Sequence, residues 1–370
     1  MYIYDQPTWP QFHWNDAAFA TLLADVRHRQ GRLVGRMEAL GFRLREEAVL
    51  RTLTQDVVKS SEIEGEKLNA QAVRSSIARR LGMADGGLKP ADRNVEGVVE
   101  MMLDATRNFD EPLTVERLFS WHASLFPTGR SNMRRIRIGM WRDDKNGPMT
   151  VVSGPAGRER VHFEAPAAER LDAEMARFPE WFNNGHAGGP EVDPVLRAGI
   201  AHLWFVTIHP FADGNGRIAR AIADLWLARS ERSSQRFYSM SAQIMEEHKN
   251  YYEILEETQK GGMDITAWLS WFLSCLGRAI DGAETLLGSV LAKACFWEAI
   301  GETPVNERQR RVLNRLLDGF EGKLTSSKWA KLTKQSQDTA HRDIMDLVKK
   351  GILVRGSEGG RSTSYSLARP

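Results

Sequence analysis

The segment His209–Arg220, HPFADGNGRIAR, decides how the chain is read. On its N-terminal side, Pro194–Ile208 is apolar almost all round (Leu196, Ile200, Leu203, Trp204, Phe205, Val206, Ile208), the pattern of a helix at the centre of a domain. Pro210 stops that helix. A second apolar helix opens near Asn215 and carries Ile218, Ile222, Leu225 and Trp226. The expected unit is helix, tight loop, helix, with His209 and two glycines in the join. Most of the remaining chain also reads as helix, so the expected fold class is mainly α.

Working outward, Phe19, Leu22, Leu23 and Val26 share one helical face, and a second helical stretch over 46–61 carries Leu50, Leu53 and Val57. GMADGGLKP (Gly82–Pro90) reads as a linker. Helices follow over 94–106 and 114–126. Between Arg135 and Pro166 the sequence turns rich in Gly, Pro, Thr and Val, and VVSGPAGRERVHF (Val151–Phe163) reads as a hairpin around a Gly-Pro turn. Helices resume from Glu169. The expected domains are a helical one over 1–88, a core over 89–300 and a C-terminal module over 301–370.

At 370 residues the chain is long for one domain, and its 42% apolar and 26% charged composition fits a globular protein with a sizeable core. Cys275 and Cys295 lie in apolar helical runs without a CxxC or Cys/His cluster, which argues against zinc and structural disulfides. No basic start followed by an apolar run opens the chain, and no stretch reaches the roughly 18 apolar residues of a membrane span. The expected location is the cytoplasm. The net charge of +2 divides into +6 over residues 301–370 (14 Lys and Arg against 8 Asp and Glu) and therefore −4 elsewhere. A basic module on an acidic body suggests a nucleic-acid contact at that end only.

In the join, Gly214 and Gly216 let the backbone approach a ligand closely. The free N–H groups of the helix start, with the positive dipole end behind them, make an anion site. Arg217 and Arg220 are three apart, share a face and can grip phosphate oxygens. Asp213 offers a hard oxygen suited to Mg²⁺ held between a carboxylate and phosphates. His209 is the group here that can take a proton at neutral pH. Together these need no covalent step on the protein.

HPFADGNGRIAR resembles the motif of the Fic family, HPF-x-(Asp/Glu)-GNGR-x-x-R, at every defined position, and the resemblance covers roughly residues 95–285. It implies a Fic-type helical core with a β-hairpin flap, and transfer of AMP from ATP to Ser, Thr or Tyr hydroxyls of target proteins. His209 would be the general base and Asp213 the Mg²⁺ ligand. Gly214, Asn215, Gly216, Arg217, Ile218 and Arg220 would bind nucleotide. Members that phosphorylate replace part of the GNG segment, which this chain keeps; phosphocholine transfer uses another substrate orientation. Val151, Val152, Val161 and His162 would form the target-docking flap, which takes up the target as an added strand. Tyr252 and Gln259 would contact the nucleotide; a plain core helix reads the same residues equally well. MYIYDQPTWPQFHWN resembles the start of a bacterial Fic subgroup with an N-terminal helical domain. A homodimer is compatible with the resemblance, but no interface is readable.

Ser60-Ser61-Glu62-Ile63-Glu64-Gly65 matches the family's inhibitory pattern, (Ser/Thr)-x-x-x-Glu-(Gly/Asn), through Ser60, Glu64 and Gly65. The resemblance implies that Glu64 pairs with Arg220 and takes it from the γ-phosphate, so that ATP binds with its α-phosphate out of line for attack. In some members this glutamate also helps water remove AMP from the target.

The C-terminal residues read as helices over 306–319 and 326–333, a third capped by Ser336, and a small hairpin from Ile352–Val354 and Thr363–Leu367. Three helices and a hairpin make a winged helix-turn-helix. Gln337, Thr339, His341 and Arg342 at the start of the third helix, with Arg355 and Arg361 at the hairpin tip, are the candidate DNA contacts. Small winged helices also serve as dimer contacts or regulatory modules. Two functions follow: an autoinhibited protein adenylyltransferase requiring ATP and Mg²⁺, or a DNA-binding transcriptional regulator whose Fic core senses nucleotide.

Overall fold

The computed structural model describes residues 1–83, 92–131, 134–145, 147–154, 158, 160–184, 192–301, 303–317, 319–320, 322–356 and 363–368. The helices are α1 (Ala20–Glu38), α2 (Phe42–Ile63), α3 (Ala70–Arg80), α4 (Arg93–Arg107), α5 (Val115–Leu125), α6 (Leu171–Asn184), α7 (Pro194–Ile208), α8 (Asn215–Glu231), α9 (Met240–Glu246), α10 (His248–Gln259), α11 (Thr266–Ile300), α12 (Glu307–Leu317), α13 (Ser326–Thr333) and α14 (Gln337–Lys349). Among the described residues three antiparallel pairs accompany them: β1 (Arg130–Ser131) with β2 (Arg134–Arg135), β3 (Thr150–Ser153) with β4 (Arg160–Glu164), and β5 (Leu353–Arg355) with β6 (Tyr365–Leu367). The fold is mainly helical. Among the described residues no helix is long and apolar enough to cross a membrane.

Contacts divide the chain into two units, residues 1–39 with 46–285, and residues 40–45 with 286–370. In the first, α7 and α8 form the centre. Asp193 caps α7 by accepting from the Val195 N–H, and Pro194 opens it, where the missing N–H costs nothing. All but two of the residues of α7 are buried, so no polar face exists and other helices surround it. Each of its fully buried large side chains, such as Leu203, Phe205 and Ile208, contributes roughly 1.5–3 kcal/mol of burial. The expected linker overlaps residues 84–91, which lie outside those described.

Helix α3 was not expected. Asn69 caps it through the Ala72 N–H, but Val73 and Ile77 are its only large apolar residues, too few to set a period. The hairpin β3–β4 pairs Thr150 with Glu164, Val151 with Phe163 and Val152 with Val161, leaving His162 as the extra residue of a bulge. The pair β1–β2 was also missed; two-residue strands carry no alternation to read.

In the second unit, Val312, Leu313, Trp329, Ala340, Ile344, Leu347, Leu353 and Tyr365 pack into one core, with Leu316, Leu317 and Val348 partly buried against it. Leu324 bridges to Tyr365 beside the β5–β6 pair. Helices α12–α14 and this hairpin have the composition of a winged helix.

Candidate active site

The His209 loop is held by contacts that fix its backbone. His209 caps α7 with φ 52°, a left-handed conformation that costs a non-glycine residue energy. The Asn215 side chain closes the loop on itself: its Oδ1 accepts from the Phe211 N–H (2.9 Å) and its Nδ2 donates to the Phe211 carbonyl (2.8 Å), all buried. Arg142, 4% exposed, donates from Nε to the His209 carbonyl (2.8 Å), from its backbone N–H to the Pro210 carbonyl (2.9 Å) and from Nη1 to Asp144 (2.6 Å). Asp144 in turn accepts from the Ala168 N–H. Gly214 sits at φ 81°, where a Cβ would lie 2.9 Å from the Phe126 ring.

The ring of His209 is oriented by its own helix. Nδ1 lies 3.1 Å from the Val206 carbonyl, which can only accept, so Nδ1 carries the proton and Nε2 keeps its lone pair. Burial holds the ring's pKa below its ordinary value, against the bond to Val206. The neutral ring is therefore a base at physiological pH. Four residues on, Asp213 Oδ1 accepts from the Gly214 N–H at 2.6 Å and Oδ2 from the Ser131 hydroxyl. Among the described residues no three His, Cys, Asp or Glu side chains could hold a metal by themselves.

Both arginines of the loop are 2% exposed and already engaged. Arg220 donates from Nε to the Ser60 hydroxyl (2.9 Å) and from Nη2 to the Ser60 carbonyl and to Glu64 Oε1 (both 2.8 Å). Arg217 lies over the Phe126 ring at 5.1 Å and donates from Nη1 to Glu66 Oε2 at 2.6 Å. Arg217 Nε and Arg220 Nη1 are buried without a hydrogen-bond partner. A Cβ on Gly216 would lie 2.1 Å from Glu64 Oε1, so only glycine admits this carboxylate. Ile218 is wholly buried and its N–H bonds the Gly214 carbonyl, so its side chain serves the core.

Tyr252 is brought to the same place: burial and the charge of Glu64 raise its hydroxyl pKa to about 12, against Arg220. Behind it the Tyr251 hydroxyl meets His202 Nε2 at 2.9 Å, and burial drops the pKa of His202 to about 3. Gln259 is buried, 3.3 Å from the Thr207 hydroxyl. On the β3–β4 hairpin, Val151 shares the inward side with buried Phe163, whereas Val152 and Val161 are about half exposed (47% and 49%). His162 Nδ1 meets Glu256 at 2.6 Å, and Arg160 joins the same carboxylate at 3.1 Å, so α10 anchors the hairpin. In the second unit, Gln337, His341 and Arg342 are exposed on α14, and Thr339 bonds its cap Ser336. Arg361 lies outside the described residues.

Sequence reading missed Arg142, Ser131, Phe126 and Glu66. Arg142 acts across 67 positions, and no spacing marks such a contact. Glu66 follows Glu64 by two residues, and that second acid was the one available signal.

Residues 112–227 match the profile of the Fic/DOC family, and residues 2–83 match a domain of unknown function, DUF4172. The protein adenylyltransferase Fic of Nematostella vectensis is 33% identical over 117 residues, 31% of this chain and 25% of that protein. That of Drosophila melanogaster is 31% identical over 134 residues, 35% of this chain and 25% of that protein. The chain thus spans about a quarter of the length of these curated relatives. A solved Fic family protein from Desulfovibrio desulfuricans is similar in fold, with a TM-score of 0.55 at 21% identity over 96% of this chain and 97% of that one. A Fic domain protein from Bacteroides thetaiotaomicron gives 0.51 at 19% identity over 73% and 97%. The chain therefore carries a Fic/DOC-family domain, within which the His209–Arg220 loop lies.

Proposed function

We propose that this protein is an autoinhibited protein adenylyltransferase, moving AMP from ATP to a Ser, Thr or Tyr hydroxyl of a target protein. The observation that carries the reading is the set of groups around one loop: a neutral histidine with a free Nε2, an open helix start, and two buried arginines that each keep an unpartnered N–H. A buried donor without an acceptor is costly, and phosphate oxygens would satisfy these. The names of the relatives, protein adenylyltransferase, support the same chemistry.

The target hydroxyl attacks the α-phosphorus of ATP. The bond from that phosphorus to the bridging oxygen breaks, and pyrophosphate leaves. The hydroxyl proton passes to His209 Nε2. Positioning and charge complementarity supply the acceleration. The loop N–H groups and both arginines face the phosphate charge. The donor set of Asp213, one hard carboxylate beside the Ser131 hydroxyl, fits Mg²⁺ shared with phosphates rather than caged by protein. When bound, the ion would neutralise phosphate charge. Tyr252 lies on the nucleotide side, and the buried Gln259 supports that wall through Thr207.

The hairpin edge, with Val152 and Val161 outward, is the docking strand for the target's hydroxyl-bearing segment. The Glu64–Arg220 contact is the brake. Two cysteines in 370 residues, neither in a CxxC or Cys/His cluster, fit a cytoplasmic setting. DNA binding by α14 rests on its exposed Gln337, His341 and Arg342, and is tested by salt-sensitive retention of the full chain.

The test of transfer is incubation with α-labelled ATP and Mg²⁺, comparing wild type, Glu64→Gly, and Glu64→Gly combined with His209→Ala. Label on protein in the Glu64→Gly sample that vanishes in the double variant supports transfer. No label in any sample leaves the nucleotide-sensing regulator.

A further inference from the structure

Both loop arginines are held by acids from a single turn. Helix α2 ends in a Schellman motif: the Gly65 N–H donates to the Glu62 carbonyl (2.9 Å) and the Glu66 N–H to the Ser61 carbonyl (3.0 Å), with Gly65 at φ 79°. This reversal places Glu64 and Glu66 on either side of one glycine and aims both at the start of α8. Glu64 takes Arg220 at 2.8 Å, and Glu66 takes Arg217 at 2.6 Å.

We propose that Glu66 is a second inhibitory residue, and that with Glu64 it makes the resting site reject the triphosphate rather than bind it out of line. The proposal rests on the reading above that Arg217 and Arg220 take phosphates. Arg217 is 2% exposed and lies over Phe126, so its guanidinium has little room to turn toward a second anion while Glu66 holds it. A triphosphate entering the closed site would also face two carboxylates, and like charges at such range repel. Blocking Arg220 alone removes one phosphate contact. Blocking both arginines removes the cationic half of the site. The two blocks are linked mechanically, because any movement of the Gly65 turn carries both acids away together.

The competing account is that Glu66 merely balances a buried arginine. The two differ in sign. A balancing residue leaves the protein less stable and nucleotide affinity no better when it is removed. An inhibitory residue improves affinity when it is removed. The Glu66 side chain is 37% exposed, so its loss opens no core cavity.

The test is calorimetric titration of the full chain with α,β-methylene ATP and Mg²⁺, which reads binding without transfer, with adenosine as a probe lacking phosphates. Wild type, Glu66→Gln, Glu66→Ala, Glu64→Gly and the Glu64→Gly, Glu66→Gln double variant are compared, each with its melting temperature. We expect Glu66→Gln and Glu66→Ala to bind the analogue about tenfold more tightly, the size of one charge-assisted contact. The double variant gains further, and adenosine affinity stays constant. Unchanged or weaker analogue binding in both Glu66 variants overturns the proposal, as does an equal gain for adenosine. If no variant moves labelled AMP, the transfer reading falls while these affinities still decide the role of Glu66.

Discussion

Replacing Asn215 with alanine separates two roles that its position allows. The side chain spans the loop, accepting from the Phe211 N–H at 2.9 Å and donating to the Phe211 carbonyl at 2.8 Å. Phe211 and Asn215 are both buried, so water cannot replace either bond. Truncation leaves two backbone groups unsatisfied at about 1–3 kcal/mol each, or about 4 kcal/mol together. In a unit of this size each kcal/mol lowers the melting temperature by about 2 °C, giving a fall of about 8 °C. A thermal melt of the full chain by circular dichroism measures this, and Asn215→Asp is the companion variant, keeping the acceptor and losing the donor. An Asn215→Ala protein that melts as wild type does and loses only nucleotide affinity would make Asn215 a ligand contact and not the loop's lock.

Three further outcomes follow from the geometry. Burial holds the His209 pKa below 6.5, so transfer by the Glu64→Gly protein should keep its plateau through neutral pH, with an acid limb below 6.5; a limb above that value contradicts the assignment. The bond from Lys260, with those from His162 and Arg160, outweighs burial and holds the Glu256 carboxyl at about 2, below its ordinary 4.5. The tether is therefore complete above pH 4.5 and lost as pH falls through about 2, and Glu256→Gln should speed amide exchange in Arg160–Glu164 at neutral pH with a small fall in the melting temperature. Arg142→Lys cannot reach the His209 carbonyl and Asp144 together, and should lower kcat by about tenfold or more with KM for ATP nearly unchanged.

The helices around the loop were legible because their apolar residues repeat with the helical period, and the loop because glycine, arginine and acid at fixed offsets have few other uses. The hairpin at β3–β4 was legible from the Gly-Pro pair and the valines in its sequence, though not the bulge at His162. What the sequence hid was contact at a distance. Arg142 reaches the His209 carbonyl by tertiary placement alone, and the Asn215 lock shows only when Phe211 folds back over it. Glu66 was passed over because a surface acid after a helix end has many ordinary uses, and only the Gly65 turn aims it at Arg217.

Adenylyl transfer by the His209–Arg220 loop is read from the product balance of the Glu64→Gly protein incubated with Mg²⁺ and ATP and a hydroxyl-bearing acceptor protein. Mass spectrometry counts adenylyl adducts on Ser, Thr or Tyr while pyrophosphate is assayed in the same samples. One pyrophosphate per adduct is expected, both abolished by His209→Ala. Formation of ADP with a phosphate adduct, or adducts that persist without His209, would contradict it.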